Sequence, residues 1–152
     1  MNIESTLIKG LTILKANKIR TAQLDVEILL SCLIKKDKKY ICLNPKKLLN
    51  LDQINKFNIL IERRKKGEPV AHIINKKEFW NEEFYVNEDV LIPRPDTELI
   101  IEQVLKIYAR QSQAQVLDIG TGSGCILLSI LKERPNFYGT GIDISKKKHK
   151  SV

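Results

Sequence analysis

Seven consecutive residues, Asp118-Ile119-Gly120-Thr121-Gly122-Ser123-Gly124, have the types and spacing to hold a ligand. Glycines permit a sharp strand-to-helix turn and let a ligand approach bare backbone, and the helix start that follows offers N–H donors. Spacing separates the competing nucleotide motifs. A phosphate-cradling P-loop needs Gly-Lys-Ser/Thr after its loop, whereas Gly124 is followed by Cys125 and Ile126. A GxGxxG dinucleotide fingerprint fails as well, because the third position after Gly122 is Cys125. A second candidate, Asp143, lies 25 residues after Asp118 and directly follows Thr140-Gly141-Ile142. A carboxylate only accepts hydrogen bonds, so it suits the neighbouring hydroxyls of a ribose at the end of the next strand. The bland alternatives are a generic tight turn for the glycines and a helix cap for Asp143. Loop, strand context and acid together favour a ligand site.

The elements that must position these residues follow a strand, loop, helix, strand rhythm. Val116–Ile119 is expected as a strand, Gly120–Gly124 as a loop, Cys125–Arg134 as a helix and Phe137–Ile142 as a second strand, one βαβ unit of a parallel sheet. Upstream, Leu91-Ile92-Pro93-Arg94-Pro95-Asp96-Thr97-Glu98 should run extended through its prolines until Asp96 or Thr97 caps a helix reaching about Arg110. From Glu68-Pro69 onward, Ile73-Ile74, Glu78-Phe79-Trp80 and Phe84-Tyr85-Val86 are β-branched or aromatic. They predict a short β-hairpin linker turning at Asn81-Glu82-Glu83.

Residues 1–66 predict helices. Ile3, Leu7, Leu11 and Leu14 form one stripe, with Asn17 as its stop. Thr21 is the expected cap of a second helix buried through Leu24, Ile28, Leu29, Cys32 and Leu33. A short third segment, Lys38–Leu43, breaks at Asn44-Pro45. Asp52 is expected to cap a fourth helix carrying Ile54, Phe57, Leu60, Ile61 and Arg64 and ended by Gly67. The resulting division is 1–73 as a helical bundle, 74–95 as a hairpin linker and 96–152 as a third segment holding the βαβ unit.

Of 152 residues, 43% are hydrophobic and 29% charged, a balance that excludes wholesale disorder. Apolar runs such as Ile28–Leu30 and Ile126–Leu128 fall far short of a membrane span, and no secretory leader opens the chain. Cys32, Cys42 and Cys125 lack CxxC spacing and predict reduced thiols packed in cores, with no metal site, in a cytoplasmic protein. The net charge of +8 halves once Lys146, Lys147, Lys148 and Lys150 in the unpatterned tail are set aside. The remaining clusters predict solvated helix faces without aromatic platforms, so no direct nucleic-acid site is expected.

The glycine loop with its acids resembles the motif of class I methyltransferases. Arg63–Ile73, Glu78-Phe79-Trp80, Leu91–Glu98 (LIPRPDTE) and Asp118–Gly124, in that order, resemble the release-factor glutamine methyltransferases, the PrmC/HemK family. The resemblance runs from the first helix to about Ser145. It implies an α/β fold: an N-terminal helical bundle, a β-hairpin linker and the first βαβ unit of a class I (Rossmann-like) methyltransferase domain. It also implies S-adenosyl-L-methionine as cofactor, and peptide-chain release factors as partners, methylated on the glutamine side-chain amide of a Gly-Gly-Gln motif. By resemblance, Gly120, Thr121, Gly122, Ser123 and Gly124 would wrap the methionine part of the cofactor and Asp143 would hold the ribose. Asp118, Pro93, Arg94, Thr97 and Glu98 would border the pocket. The bundle and linker would help receive the release factor. His72 is expected as a packed histidine, and Phe79 and Trp80 as linker core. Arg94 suits structural salt bridging and pocket lining equally.

The family's catalytic Asn-Pro-Pro-Tyr does not occur in these residues, so no catalytic residue is assigned. The chain's only Asn-Pro is Asn44-Pro45, followed by Lys46-Lys47. With two strands where such a domain has about seven, the expectation is a C-terminally truncated relative, and a lysine run after an intact motif is what a reading-frame slip would leave. The alternative function is a catalytically inactive fragment, or a helical module that binds a partner without methyl transfer.

Overall fold

The computed structural model describes residues 1–145. The tail containing Lys146, Lys147, Lys148 and Lys150, and the expected break in patterning there, lie outside the described residues. Those described form a mixed α/β structure of seven α-helices, one 3-10 turn and two two-stranded sheets. None of these helices is long and apolar enough to cross a membrane. Two compact units divide the chain, Met1–Ile74 and a second beginning at Asn75.

In the first unit, α1 (Ile3–Ala16), α2 (Ala22–Ile34), α3 (Lys38–Leu43), α4 (Leu51–Lys65) and α5 (Val70–Ile74) enclose one core. Ile3, Leu14, Val26, Leu29, Leu30, Phe57 and Ile61 are its buried centre, each contributing roughly 1.5–3 kcal/mol by leaving water. Two capping boxes start the long helices. Asn2 and Ser5 exchange side-chain-to-backbone hydrogen bonds at α1, and Asn50 and Gln53 do the same at α4. The predicted cap of α4, Asp52, instead lies inside the first turn and pairs with Lys56 at 2.7 Å. Thr21 does precede α2, but its Oγ1 donates to Asp25 Oδ2 at 2.8 Å instead of capping the backbone.

That threonine points to a feature the apolar pattern hides. Asp25 is buried on α2 and accepts from Arg64 Nε on α4 at 2.7 Å. The α2 face is therefore rotated from the predicted stripe: Asp25 and Val26 turn inward while Leu24 and Cys32 are exposed. Removing Arg64 would strand a buried carboxylate, which costs about 3–5 kcal/mol. Gly10 lets α1 approach α4, since a Cβ there would lie 3.0 Å from the Phe57 ring. Ile73 and Ile74, expected at the start of the linker, belong to the helix α5, where Ile73 is buried.

The second unit opens with a hairpin, β1 (Lys76–Phe79) and β2 (Glu82–Tyr85), in antiparallel register Phe79↔Glu82. Its turn is the two-residue Trp80-Asn81, both left-handed at φ 51° and 57°. Trp80 thus sits in the turn and not in the strand where its aromatic character placed it. The 3-10 turn Pro95–Thr97 leads into α6 (Glu98–Ile107), followed by β3 (Ala114–Ile119), α7 (Cys125–Glu133) and β4 (Phe137–Ile142). β3 and β4 are parallel, with Val116↔Gly139 and Asp118↔Gly141 in register. The βαβ unit of the sequence reading is present. Arg134 is buried at its hinge and donates to the carbonyls of Leu105 (2.8 Å), Tyr108 (2.9 Å) and Glu133 (3.0 Å). A cation there satisfies carbonyls at the C-terminal ends of both α6 and α7.

The sheet has two unlike faces. Ala114, Val116 and Phe137 pack in the core with α7 residues, whereas Leu117, Ile119, Tyr138 and Ile142 are 60, 75, 76 and 47% exposed on the other side.

Two outcomes are expected. The apolar face should bind a hydrophobic dye such as anilinonaphthalene sulfonate, and Leu117→Lys with Ile119→Lys should remove most of that signal while far-UV circular dichroism stays unchanged; undiminished dye binding would place the patch elsewhere. In the first unit, the hydrogen bond from Arg63 holds the Glu68 carboxyl below its ordinary 4.5 and raises the guanidinium in turn. A depressed carboxyl stabilises fully above its unfolded value and loses that contribution as pH falls through the folded one. Glu68→Gln should therefore flatten the loss of stability seen in acid unfolding curves as pH falls below the ordinary carboxyl value of 4.5.

Candidate functional site

Strand β3 delivers Asp118 to the mouth of the glycine loop, and β4 ends beside it at Ile142 and Asp143. Gly120, Gly122 and Gly124 all have left-handed backbones, at φ 79°, 53° and 77°. The alternation explains the x-Gly-x-Gly-x-Gly spacing: every second residue must adopt a conformation that a Cβ disfavours. The loop is tied down at several points. The N–H groups of Gly120 and Thr121 both donate to the Ile142 carbonyl, at 2.8 and 3.0 Å. Thr121 Oγ1 donates to Asp118 Oδ2 at 2.8 Å, and the Gly124 N–H donates to the Thr121 carbonyl at 2.8 Å. Helix α7 begins immediately after Gly124, so its first-turn donors adjoin the loop.

Asp143 meets the loop directly. Its Oδ2 accepts the Gly122 N–H at 2.9 Å and its Oδ1 accepts the Ser145 N–H at 2.9 Å. The second bond has the i to i+2 span of an Asx-turn, so the acid organises backbone on both sides of itself. A carboxylate has about four acceptor positions, so serving two backbone amides is compatible with serving a diol as well. Asp143 is exposed and Asp118 half-buried.

The structure therefore brings Asp118, Gly120, Thr121, Gly122, Ser123, Gly124 and Asp143 together. The Leu91–Glu98 segment is arranged differently. Pro93 is buried, Arg94 exposed, and Thr97 half-buried at the start of α6 without a side-chain capping bond. Glu98 accepts the backbone N–H of Trp80 at 3.0 Å, which ties it to the hairpin turn. Just before this stretch Val90 approaches the loop, its Cγ1 3.9 Å from where a Cβ at Gly122 would stand. His72 lies in the first unit with its Nε2 buried and unbonded. Cys125, at the start of α7, is buried, and desolvation pushes its thiol up despite a hydrogen bond with Ser123. It stays protonated at neutral pH and packs as a small apolar group. Cys32 and Cys42 are exposed, against the expectation of core thiols.

Sequence reasoning missed two residues that make the site possible. A Cβ at Gly141 would lie 2.9 Å from Thr121 Oγ1, and one at Gly139 would lie 2.6 Å from Leu127 Cδ1. Without side chains, β4 lets the loop and α7 settle onto it. The signal was available, because two glycines inside a six-residue strand mark a close approach.

Residues 6–74 match the PrmC N-terminal domain. Over 123 residues the chain is 42% identical to the release factor glutamine methyltransferase of Shewanella oneidensis, covering 81% of this chain and 43% of that protein. The protein of the same name from Coxiella burnetii is 42% identical over 127 residues, 84% of this chain and 46% of its own length. The Caulobacter vibrioides protein, again of that name, is 40% identical over 144 residues, 92% of this chain and 50% of its own length. The chain thus spans about half the length of the curated relatives it matches.

Two glycine substitutions should fail for different reasons. At Gly120 a Cβ meets nothing within 4 Å, so Gly120→Ala should cost about 1–2 kcal/mol through the backbone alone. Gly139→Ala should cost about 1–3 kcal/mol through overpacking, and Leu127→Val should recover part of that loss but none of the Gly120→Ala loss. Urea unfolding of the four variants checks this; equal rescue of both would refute the distinction.

Proposed function

We propose, for a chain that belongs to the family of release factor glutamine methyltransferases, that Gly120–Gly124 and Asp143 form its S-adenosyl-L-methionine site. The observation that carries this reading is the loop of three left-handed glycines, fastened by Ile142 and Asp143 to the end of β4. The residues present fit the cofactor. Space above Gly120 is open, first-turn donors of α7 adjoin the loop, and an exposed carboxylate stands at the strand end where ribose hydroxyls need an acceptor. Gly120, Thr121, Gly122, Ser123 and Gly124 hold the methionine part, Asp143 the ribose, and Asp118 orients the loop through Thr121. Pro93, Arg94 and Thr97 border the pocket. Glu98 acts on it through the hairpin. The bound cofactor supplies a methyl group made electrophilic by its sulfonium.

The acceptor in this reading is the glutamine side-chain amide of the Gly-Gly-Gln motif in peptide-chain release factors, encountered in the cytoplasm. An amide nitrogen is a poor nucleophile because its lone pair is delocalised, so the chemistry depends on carbonyl acceptors that hold its N–H groups and aim it at the methyl. In the family that duty falls to Asn-Pro-Pro-Tyr, which these 152 residues lack. Asn44-Pro45 does not substitute: Asn44 closes α3, its side-chain amide donating to the Tyr40 carbonyl at 2.9 Å. This chain therefore supplies the donor site of a class I domain and, in its helical unit and in its hairpin, surfaces that receive the release factor.

Calorimetry with S-adenosylhomocysteine on the intact chain should show one site. Asp143→Ala should weaken binding about tenfold or more, as loss of charge-assisted hydrogen bonds implies, and Asp143→Asn should weaken it less. Labelled methyl transfer to a release factor by this chain alone should be absent. Absence of binding would sink the donor assignment, and robust turnover would sink the assignment of acceptor chemistry to other residues.

A further inference from the structure

Trp80 is a poor choice for the place it occupies. It stands at φ 51° in a two-residue turn, beside Asn81 at φ 57°. Asparagine tolerates the left-handed region, whereas a bulky side chain there is a strained outlier that surrounding contacts must hold. Those contacts are specific. The Trp80 backbone N–H donates to Glu98 Oε1 at 3.0 Å, and the indole Nε1–H donates to Glu133 Oε1 at 3.0 Å. Next to it, Lys132 on α7 pairs with Glu82 on β2. Phe79 and Phe84, edge to face at 6.2 Å, share one buried cluster with Ile101, Cys125 and Ile130.

The two carboxylates belong to elements that lead to the glycine loop. Glu133 is the last residue of α7, and Gly124 at the opposite end of that nine-residue helix is the loop's final glycine. Glu98 is the first residue of α6. Its bond to Trp80 closes residues 80–98 into a ring, and that ring brings Val90 near Gly122. The tryptophan thus holds the loop's surroundings from two directions: along α7, and through the ring that contains Val90.

We propose that Trp80, with Glu98 and Glu133, is a positioning latch for the glycine loop. The hairpin turn accepts a strained backbone because its indole and amide then fix both the helix that starts at the loop and the segment packed on it. Glu98 in this account is a positioning residue and not a cofactor contact. The role rests on the proposed reading of Gly120–Gly124 as the donor loop, although the test below does not need cofactor to bind.

Amide hydrogen exchange on the intact chain provides the test, with Glu133→Ala, Glu133→Gln and Trp80→Phe beside the natural sequence. Removing the indole hydrogen bond should speed exchange in peptides covering Asp118–Cys125 by about tenfold, leave the first unit unchanged, and be repaired in Glu133→Gln, whose amide oxygen still accepts. Trp80 is the only tryptophan of the chain, so its emission should shift to the red in Glu133→Ala and not in Glu133→Gln. If the hairpin alone loosens, or residues 75–145 loosen uniformly, Trp80 is a packing residue and the latch is wrong. Should Glu133→Ala fail to fold, Glu98→Ala against Glu98→Gln carries the same comparison. A latch confirmed by exchange while calorimetry finds no cofactor would refute the donor reading and leave the mechanical one standing.

Discussion

The Ile142 carbonyl is the point on which the candidate site depends. It accepts the N–H groups of both Gly120 and Thr121, so the turn out of β3 is shaped by the end of β4. Neither strand could form this arrangement alone. The parallel pairing sets Asp118 opposite Gly141, the missing Cβ at Gly141 lets Thr121 come within contact, and Thr121 then closes onto Asp118. Loop, register and strand glycines are one constraint: a side chain at Gly141 pushes on Thr121, and a slipped register removes the carbonyl on which two amides converge. Parallel strands need a crossover, and α7 supplies it while lending its N-terminus to the site.

Much of this was legible in the amino-acid order because it is written locally. The boundaries of α3 and β4 follow from Asn44-Pro45 and from the aromatic-to-acid run Phe137–Asp143. The glycine loop was recognisable by spacing, and the left-handed backbone at each glycine gives that spacing its physical cause. The change of pattern at Glu68-Pro69 was visible in composition, and the short helix α5 beyond it belongs to the first unit, which runs to Ile74.

What escaped was decided by partners far along the chain. Periodicity placed Leu24 and Cys32 inside and had no place for Asp25; the partner that reverses this, Arg64, lies 39 residues away. Asp52 is a reasonable cap by type, yet Asn50 won by forming a reciprocal pair with Gln53. Trp80 has a strand-forming side chain, but its turn position is set by Glu98 and Glu133, 18 and 53 residues downstream. For Asp25 and Trp80 a tertiary hydrogen bond outweighed a local preference of a few tenths of a kcal/mol, whereas the Asn50 cap was decided within one helical turn.

The start of the chain has a consequence for the order in which it can fold. Asn2 bridges to Leu48, the Ile3 N–H donates to the Lys47 carbonyl, and the Leu49 N–H donates to the Met1 carbonyl. Residues 1–3 are thus fastened by residues nearly fifty positions further along the chain. Emerging from the exit tunnel, α1 carries its own capping box and can hold helical turns early; α2 then supplies Val26, Leu29 and Leu30 to the same core, but the core stays open until α4 brings Phe57 and Ile61. For that interval of translation α1 and α2 form a half-covered pair, the kind of exposed apolar surface that nascent-chain chaperones recognise. The N-terminal pairing is the clasp that ends the interval.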